Sequence, residues 1–125
     1  MTRWLLPLLF LLRACGDPAF AAPPPGVSPT GPIADWVHSW HDTTGFPCCG
    51  IESDCRPTIV RPSDTSPSGY EAWISKDIYG PTAPDAWEPA PVTAFSRTSE
   101  DNPTGVSWAC WYGNRVLCAS LGRGF

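Results

Sequence analysis

The first patterned segment of the chain is a stripe of apolar residues at helical spacing. Four apolar residues fall at positions i, i+3, i+4 and i+7, which is one face of an amphipathic helix. They are Ile33, Trp36, Val37 and Trp40. Pro32 suits the first turn of such a helix, and Gly45 and Pro47 end it. The sequence therefore predicts one short helix that begins near residue 33.

Later segments follow strand patterns. Residues 70–75 alternate, with Tyr70, Ala72 and Ile74 on one face and Trp73 on the other. Segments 105–112 and 115–120 flank Gly113-Asn114, a typical two-residue hairpin turn, and residues 58–61 are predicted as a further strand. The register of the hairpin stays open, because a third turn residue would change which side chains face each other.

Proline limits regular structure between residues 76 and 103, where five prolines remove backbone donors. This segment is predicted to be mostly loop, with one turn of helix near residues 92–95. The whole pattern predicts an α+β fold in which one N-terminal helix packs on a short antiparallel sheet with a C-terminal hairpin and long Pro-rich loops. Residues 33–121 would form this single cysteine-rich domain.

The N-terminal segment has the features of an export signal. Arg3 precedes an apolar run over residues 4–12, and Ala19-Phe20-Ala21 is a small-x-small cleavage site, which predicts a signal peptide over residues 1–21. The run is far shorter than the roughly 20 residues that span a bilayer. Lipoprotein processing at Cys15 is an alternative. Residues 22–32 predict a Pro-rich disordered leader, and the mature protein is expected to be periplasmic or extracellular, without a membrane attachment.

Composition limits the partners. The chain has 125 residues, 12 acidic and 8 basic side chains and a formal charge of −4, which argues against nucleic acid as a partner. Aliphatic residues are sparse beyond the signal, so the tryptophans are expected to form much of the core. An alternative places Trp87 with Trp108 or Trp111 in a shallow aromatic platform for a glycan, a peptide or a protein.

Cysteines are the main stabilising feature that the sequence offers. Five cysteines remain after residue 21, so two disulfides with one thiol left over are expected, and that thiol would be free or would join two chains in a disulfide-linked dimer. At least one bridge is expected to be long-range, although the connectivity stays open. The candidates are Cys48, Cys49, Cys55, Cys110 and Cys118.

The order of these motifs over residues 36–120 resembles a family of small secreted cysteine-rich bacterial proteins of unknown function. The matching motifs are His38, Trp40, His41, Gly45, Cys48-Cys49, Asp54-Cys55-Arg56-Pro57, Trp87-Glu88-Pro89, Asn102-Pro103-Thr104-Gly105, Cys110-Trp111 and Val116-Leu117-Cys118. The resemblance implies export and a coherent fold, and it implies no activity. The chain departs from the family at residues 119–121, where an aromatic residue and a proline are expected.

The candidate chemistry is limited. No phosphate-binding glycine loop, serine-nucleophile elbow or His-Glu-x-x-His motif occurs. The sequence predicts a non-enzymatic, disulfide-stabilised binding or structural module without a cofactor. The alternative is a metal-binding protein that holds zinc or copper with His38, His41, Cys48 and Cys49. Residues 54–57 are interpreted as a turn in which Asp54 caps backbone amides and Arg56 forms an ion pair.

Overall fold

A computed structural model describes residues 31–50 and 53–123 of the chain. The predicted signal peptide, its cleavage site, the alternative at Cys15 and nearly all of the predicted leader lie outside the described residues. The helices and strands follow a simple order along the chain. They are α1 (Pro32–His38), β1 (Ser53–Pro57), β2 (Val60–Pro62), β3 (Tyr70–Ile74), α2 (Lys76–Tyr79), β4 (Ala86–Pro89), two 3₁₀ turns (Val92–Ala94 and Ser99–Asp101), β5 (Trp108–Tyr112) and β6 (Arg115–Ser120).

The strands form two antiparallel sheets of three strands each, in the orders β1-β5-β6 and β2-β3-β4. The α+β prediction is confirmed, although a second sheet joins the expected one. Thr58 lies where the chain passes between the sheets. Its backbone N–H donates to Ser107 O at 3.0 Å, and its hydroxyl donates to Trp73 O at 2.7 Å. The strand expected at 58–61 is therefore split around this crossing, and only its second half belongs to β2.

The β1-β5-β6 sheet is the central layer of the molecule. Trp108 and Cys110 of β5 pack in one buried cluster with the α1 side chains Trp36 and Val37. The alternate β5 side chains, Ala109 and Trp111, pack in a second buried cluster with the inner face of the other sheet. Helix, central sheet and second sheet thus form three layers, and β5 is covered on both faces.

The helix α1 begins where the apolar stripe predicts but ends at His38, before the expected stop at Gly45, so Trp40 lies just beyond it. Pro32 occupies its first turn, where a missing N–H costs nothing. Trp36 stacks on Trp40 with ring centroids 4.9 Å apart and meets Trp108 edge-on at 5.7 Å. Aromatic packing of this kind fixes α1 against the central sheet. Neither of the described helices has the length and apolarity that crossing a lipid bilayer requires.

The hairpin β5-β6 combines the predicted two-residue turn with a register that the turn alone would not give. Tyr112 pairs with Arg115 across the turn, as predicted. The pairing then shifts between Cys110 and Trp111, so that Cys110 faces Cys118. One extra residue in a strand is a β-bulge, which restores both cysteines to one face of the sheet.

Segment 76–103 is more regular than its prolines predict. The turn near residues 92–95 is confirmed as a 3₁₀ turn, but α2 and β4 were expected to be loop. Ser75 caps α2 by accepting a hydrogen bond from Ile78 N at 3.3 Å. Strand β4 ends at Pro89 and lies at the edge of its sheet, where proline is tolerated.

Asn102 organises the chain just before β5. It is fully buried, and its amide nitrogen donates to Val106 O at 2.7 Å and to Leu121 O at 3.4 Å. Its side-chain oxygen accepts from the backbone N and the hydroxyl of Thr104, at 2.9 and 2.6 Å. The Thr104 hydroxyl also accepts from the Trp108 indole at 2.9 Å. The Asn-Pro-Thr-Gly motif therefore joins the turn before β5 to the chain that follows β6.

Candidate functional site

Two disulfides involve the central sheet. One joins its strands β1 and β5, and the other joins β6 to the segment that follows α1. Cys48–Cys118 has an S–S distance of 2.03 Å and spans 70 residues, and Cys55–Cys110 has 1.98 Å and spans 55. The prediction of at least one long-range bridge is confirmed, and Cys48–Cys118 joins the Cys48-Cys49 segment to the hairpin. Cys49 is also disulfide-bonded, and none of the described cysteines is free. The expectation of one thiol left over concerns a chain cleaved after Ala21, and it stays a prediction.

The histidines of the metal hypothesis lie on the surface near the end of α1. His38 and His41 are exposed, and His41 Nδ1 lies 2.8 Å from Ser39 O. Cys48 and Cys49 are buried and bridged. Zinc and copper are bound by thiolate sulfur, so a site made of these four residues would first require reduction of the disulfides of both cysteines.

Segment 54–57 forms an edge strand and not the turn expected from its sequence. The expected ion pair is present, with Arg56 Nε 3.1 Å from Asp54 Oδ1. Burial raises the pKa of Asp54 despite this pair. Tyr79 packs beside it and donates its hydroxyl to Ala109 O at 2.7 Å, and burial raises the pKa of Tyr79 as well. These groups link α2 to β1 and β5, which is a structural role.

The tryptophans in the described part of the chain divide into a buried and a half-exposed group. The buried members are Trp36, Trp40, Trp108 and Trp111. Trp108 and Trp111 therefore cannot form the predicted platform, because they face the two covered sides of β5. Trp73 and Trp87 are half-buried and lie on the outer face of the second sheet. Of the tryptophans in the platform hypothesis only Trp87 is half-exposed, its neighbour is Trp73, and the binding of a ligand there stays a prediction.

The outer face of the second sheet, which we call the aromatic platform, has two rows of side chains. Trp73 faces Trp87 directly in the β3-β4 register, with ring centroids 5.4 Å apart and planes inclined by 58°. Ile59 extends this row because its carbonyl accepts from Trp73 N at 2.9 Å, and its side chain is 62% exposed. Arg61 faces Glu71 in the parallel row.

Charged groups border the indoles of the platform. The Arg61 guanidinium lies 3.6 Å from the Trp87 ring centroid, which is a close cation–π contact. Arg61 Nε also donates to Glu71 Oε1 at 2.6 Å, while the Arg61 side chain remains 49% exposed. A flat aromatic surface and a hydrogen-bonding ion pair thus adjoin each other. This combination offers both apolar contact and directed polar contact to a ligand.

A separate cavity of about 380 Å³ lies between Tyr70, Phe95 and Leu121. Its positive group, Arg97, donates to Trp36 O at 2.6 Å and to Ser39 Oγ at 3.0 Å. The Arg97 guanidinium therefore forms hydrogen bonds at the C-terminal end of α1. The cavity offers a ligand fewer directed contacts than the aromatic platform does.

Comparison of the chain with protein-family models, with curated proteins and with solved structures finds no match. The resemblance to a secreted cysteine-rich family stays a prediction, and the interpretation of the site rests on its own geometry. The two disulfides indicate folding in an oxidising environment.

Proposed function

We propose that this protein is a non-enzymatic carbohydrate-binding module of the periplasm or the extracellular space. The observation that carries the proposal is the Trp73–Trp87 pair, which is half-exposed on a sheet face beside the Arg61–Glu71 ion pair. The C–H groups on one face of a sugar ring carry slight positive charge and pack on the negative face of an indole. The neighbouring guanidinium and carboxylate donate and accept hydrogen bonds with hydroxyl groups.

The spacing on the platform fits a sugar ring. Trp73 and Glu71 lie on the same face of β3 two residues apart, which is about 7 Å along a strand. A sugar that stacks on Trp73 therefore brings its hydroxyls near Glu71 and its partner Arg61. The two indole planes are inclined by 58°, and the Arg61 guanidinium already lies over the Trp87 ring, so the sugar is placed on Trp73.

A carbohydrate fits this surface better than an extended Pro-rich peptide does. Pro-rich peptides dock in grooves between aromatic side chains, whereas Trp73 and Trp87 lie side by side on neighbouring strands of one sheet face. The two disulfides support the location, because small exported domains use them to stabilise limited cores.

Replacing Trp73 or Trp87 with Ala is expected to lower the affinity for an insoluble polysaccharide at least tenfold. The physical reason is the loss of one stacking surface, while the core on the inner sheet face stays intact. The measurement is depletion of the protein from solution by cellulose, chitin and peptidoglycan, with indole fluorescence quenching by their soluble oligomers.

Val106→Ala is the matched control, because Val106 is 51% exposed and lies outside the platform. Its binding should equal that of the unaltered protein, and Arg61→Lys should weaken binding by removing the planar guanidinium. The proposal fails if none of the polysaccharides is bound, if the two tryptophan variants bind as well as the original, or if a Pro-rich peptide is bound in their place.

A further inference from the structure

Four cysteine sulfurs converge at the centre of the molecule. Cys55, Cys110 and Cys118 face one another on three adjacent strands, because Cys110 pairs directly with Cys55 on one side and with Cys118 on the other. Cys48 reaches them from the segment that follows α1 and is bonded to Cys118. We call these residues the four-cysteine cluster, and each of them is at most 1% exposed.

The two disulfides of the cluster are close neighbours. The Sγ atoms of Cys48, Cys110 and Cys118 all lie within 4.8 Å of one another. The fourth sulfur, that of Cys55, is bonded to Cys110 Sγ and lies 3.4 Å from Cys48 O. All four sulfurs therefore occupy one small volume, although they belong to two separate bridges.

We propose that the four-cysteine cluster, when its disulfides are reduced, is a tetrathiolate site for one zinc ion. A tetrahedral site with zinc–sulfur bonds of 2.3 Å separates its sulfurs by about 3.8 Å. Cys110 Sγ is already near this separation from both sulfurs of the other bridge, within 4.8 Å. Each bonded pair must open by about 1.8 Å, which rotation of the side chains can supply while the strands stay paired.

Binding of zinc at the four-cysteine cluster requires that both of its disulfides are reduced first. Each disulfide accepts two electrons and two protons from an external dithiol, which is oxidised to its own disulfide. Four thiols result, and zinc displaces one proton from each as four zinc–sulfur bonds form. The product carries a formal charge of −2, and its formation is favoured as the pH rises because protons are released.

Two indole donors that have no acceptor within the described ranges lie in the same buried cluster as the four cysteines. Among the described residues, the buried Nε1 atoms of Trp36 and Trp40 have no hydrogen-bond acceptor. Both tryptophans pack in the same buried cluster as the four cysteines. Buried polar groups are seldom left without a partner, and N–H groups near metal-bound thiolates stabilise their charge. The proposed zinc site is distinct from the exposed histidines of the sequence-based metal hypothesis and does not depend on the aromatic platform.

To test this proposal, the full chain is reduced with an excess of dithiol under argon. The reductant is removed, and the protein is titrated with Co²⁺ and then with Zn²⁺. We expect one ion per chain, an intense sulfur-to-cobalt charge-transfer absorption and a near-ultraviolet circular dichroism spectrum that keeps the signature of packed tryptophans. Cys48→Ala/Cys118→Ala and Cys55→Ala/Cys110→Ala should each bind the ion at least 100-fold more weakly.

Two further variants separate this site from its neighbours. His38→Ala/His41→Ala and Cys49→Ser should bind Co²⁺ as tightly as the unaltered chain, since neither contributes a ligand. The proposal is overturned if the histidine variant loses binding, or if either cysteine-pair variant retains it. It is also overturned if the reduced chain with metal lacks packed tryptophans, because binding would then belong to an unfolded chain.

Discussion

Removing either disulfide of the four-cysteine cluster is expected to lower the free energy of unfolding by about 3 kcal/mol, and removing both by about 7 kcal/mol. The variants are Cys48→Ala/Cys118→Ala, Cys55→Ala/Cys110→Ala and their combination. The bridges are nested, since the loop between Cys55 and Cys110 lies inside the loop between Cys48 and Cys118. When one bridge is present, the other closes an effective loop of only about 15 residues in the unfolded chain.

The two pair variants serve as controls for each other. Each removes two buried sulfurs from the same cluster and leaves the other bridge of the cluster in place. Urea unfolding followed by tryptophan fluorescence should therefore give similar losses for both pairs and a larger loss for the quadruple variant. Native domains have a free energy of unfolding of roughly 5 to 15 kcal/mol, so a loss of about 7 kcal/mol should bring the quadruple variant close to its unfolding midpoint without denaturant. Strongly unequal losses for the two pairs would contradict the nested-loop argument.

The elements with an uninterrupted local pattern could be predicted from the sequence. The stripe of α1, the alternation of β3 and the turn of the hairpin each lie within a few consecutive residues, so local spacing determines them. The cysteine content likewise predicted a long-range bridge, which Cys48–Cys118 confirms. In each case the signal needed no knowledge of which segments meet in space.

Strand β4 was missed because the prolines of segment 76–103 were given too much weight, and β1 was missed because residues 54–57 were interpreted as a turn. Pro57 ends β1 and Pro89 ends β4, and both strands lie at the edge of a sheet. An edge strand has backbone groups that need no partner within the sheet, so proline is tolerated there. The sequence alone does not show that these segments are edges, and the second sheet was overlooked for this reason.

The candidate sites depend on pairings between distant segments. The alternation of β3 placed Trp73 on the outer face, but its neighbour Trp87 belongs to β4, which the prolines concealed. The four-cysteine cluster depends on the bulge in the hairpin, which brings Cys110 opposite Cys118. A bulge of one residue leaves no periodic signal, so the convergence of the sulfurs could not be predicted.

The Asn102 side chain is expected to be the polar group whose loss is most damaging to the fold. Asn102→Ala should lower the free energy of unfolding by about 3 kcal/mol, because it removes the amide donor to Val106 O and Leu121 O and the acceptor of the Thr104 backbone N–H. The Trp108 indole would also lose a fixed acceptor, since Asn102 orients the Thr104 hydroxyl. Asn102 itself has no exposed surface, so its own polar groups have no contact with water in the folded protein.

Asn102→Asp keeps the size of the side chain and adds a dependence on pH. Its carboxylate can still accept from Thr104, but it would face the carbonyl oxygens that the amide nitrogen now contacts. Burial and this repulsion raise the pKa of the introduced carboxyl in the folded state above the unfolded value of about 3.9. The variant is therefore most stable below that value, where the carboxyl is protonated and donates to Val106 O. Its stability falls as the pH rises toward the raised folded pKa.

Urea unfolding at pH 4 and pH 7 should show the variant close to the original protein at the lower pH and far less stable than Asn102→Ala at the higher one. Equal losses at the two pH values would show that the Asn102 amide does not act as a donor in the folded protein.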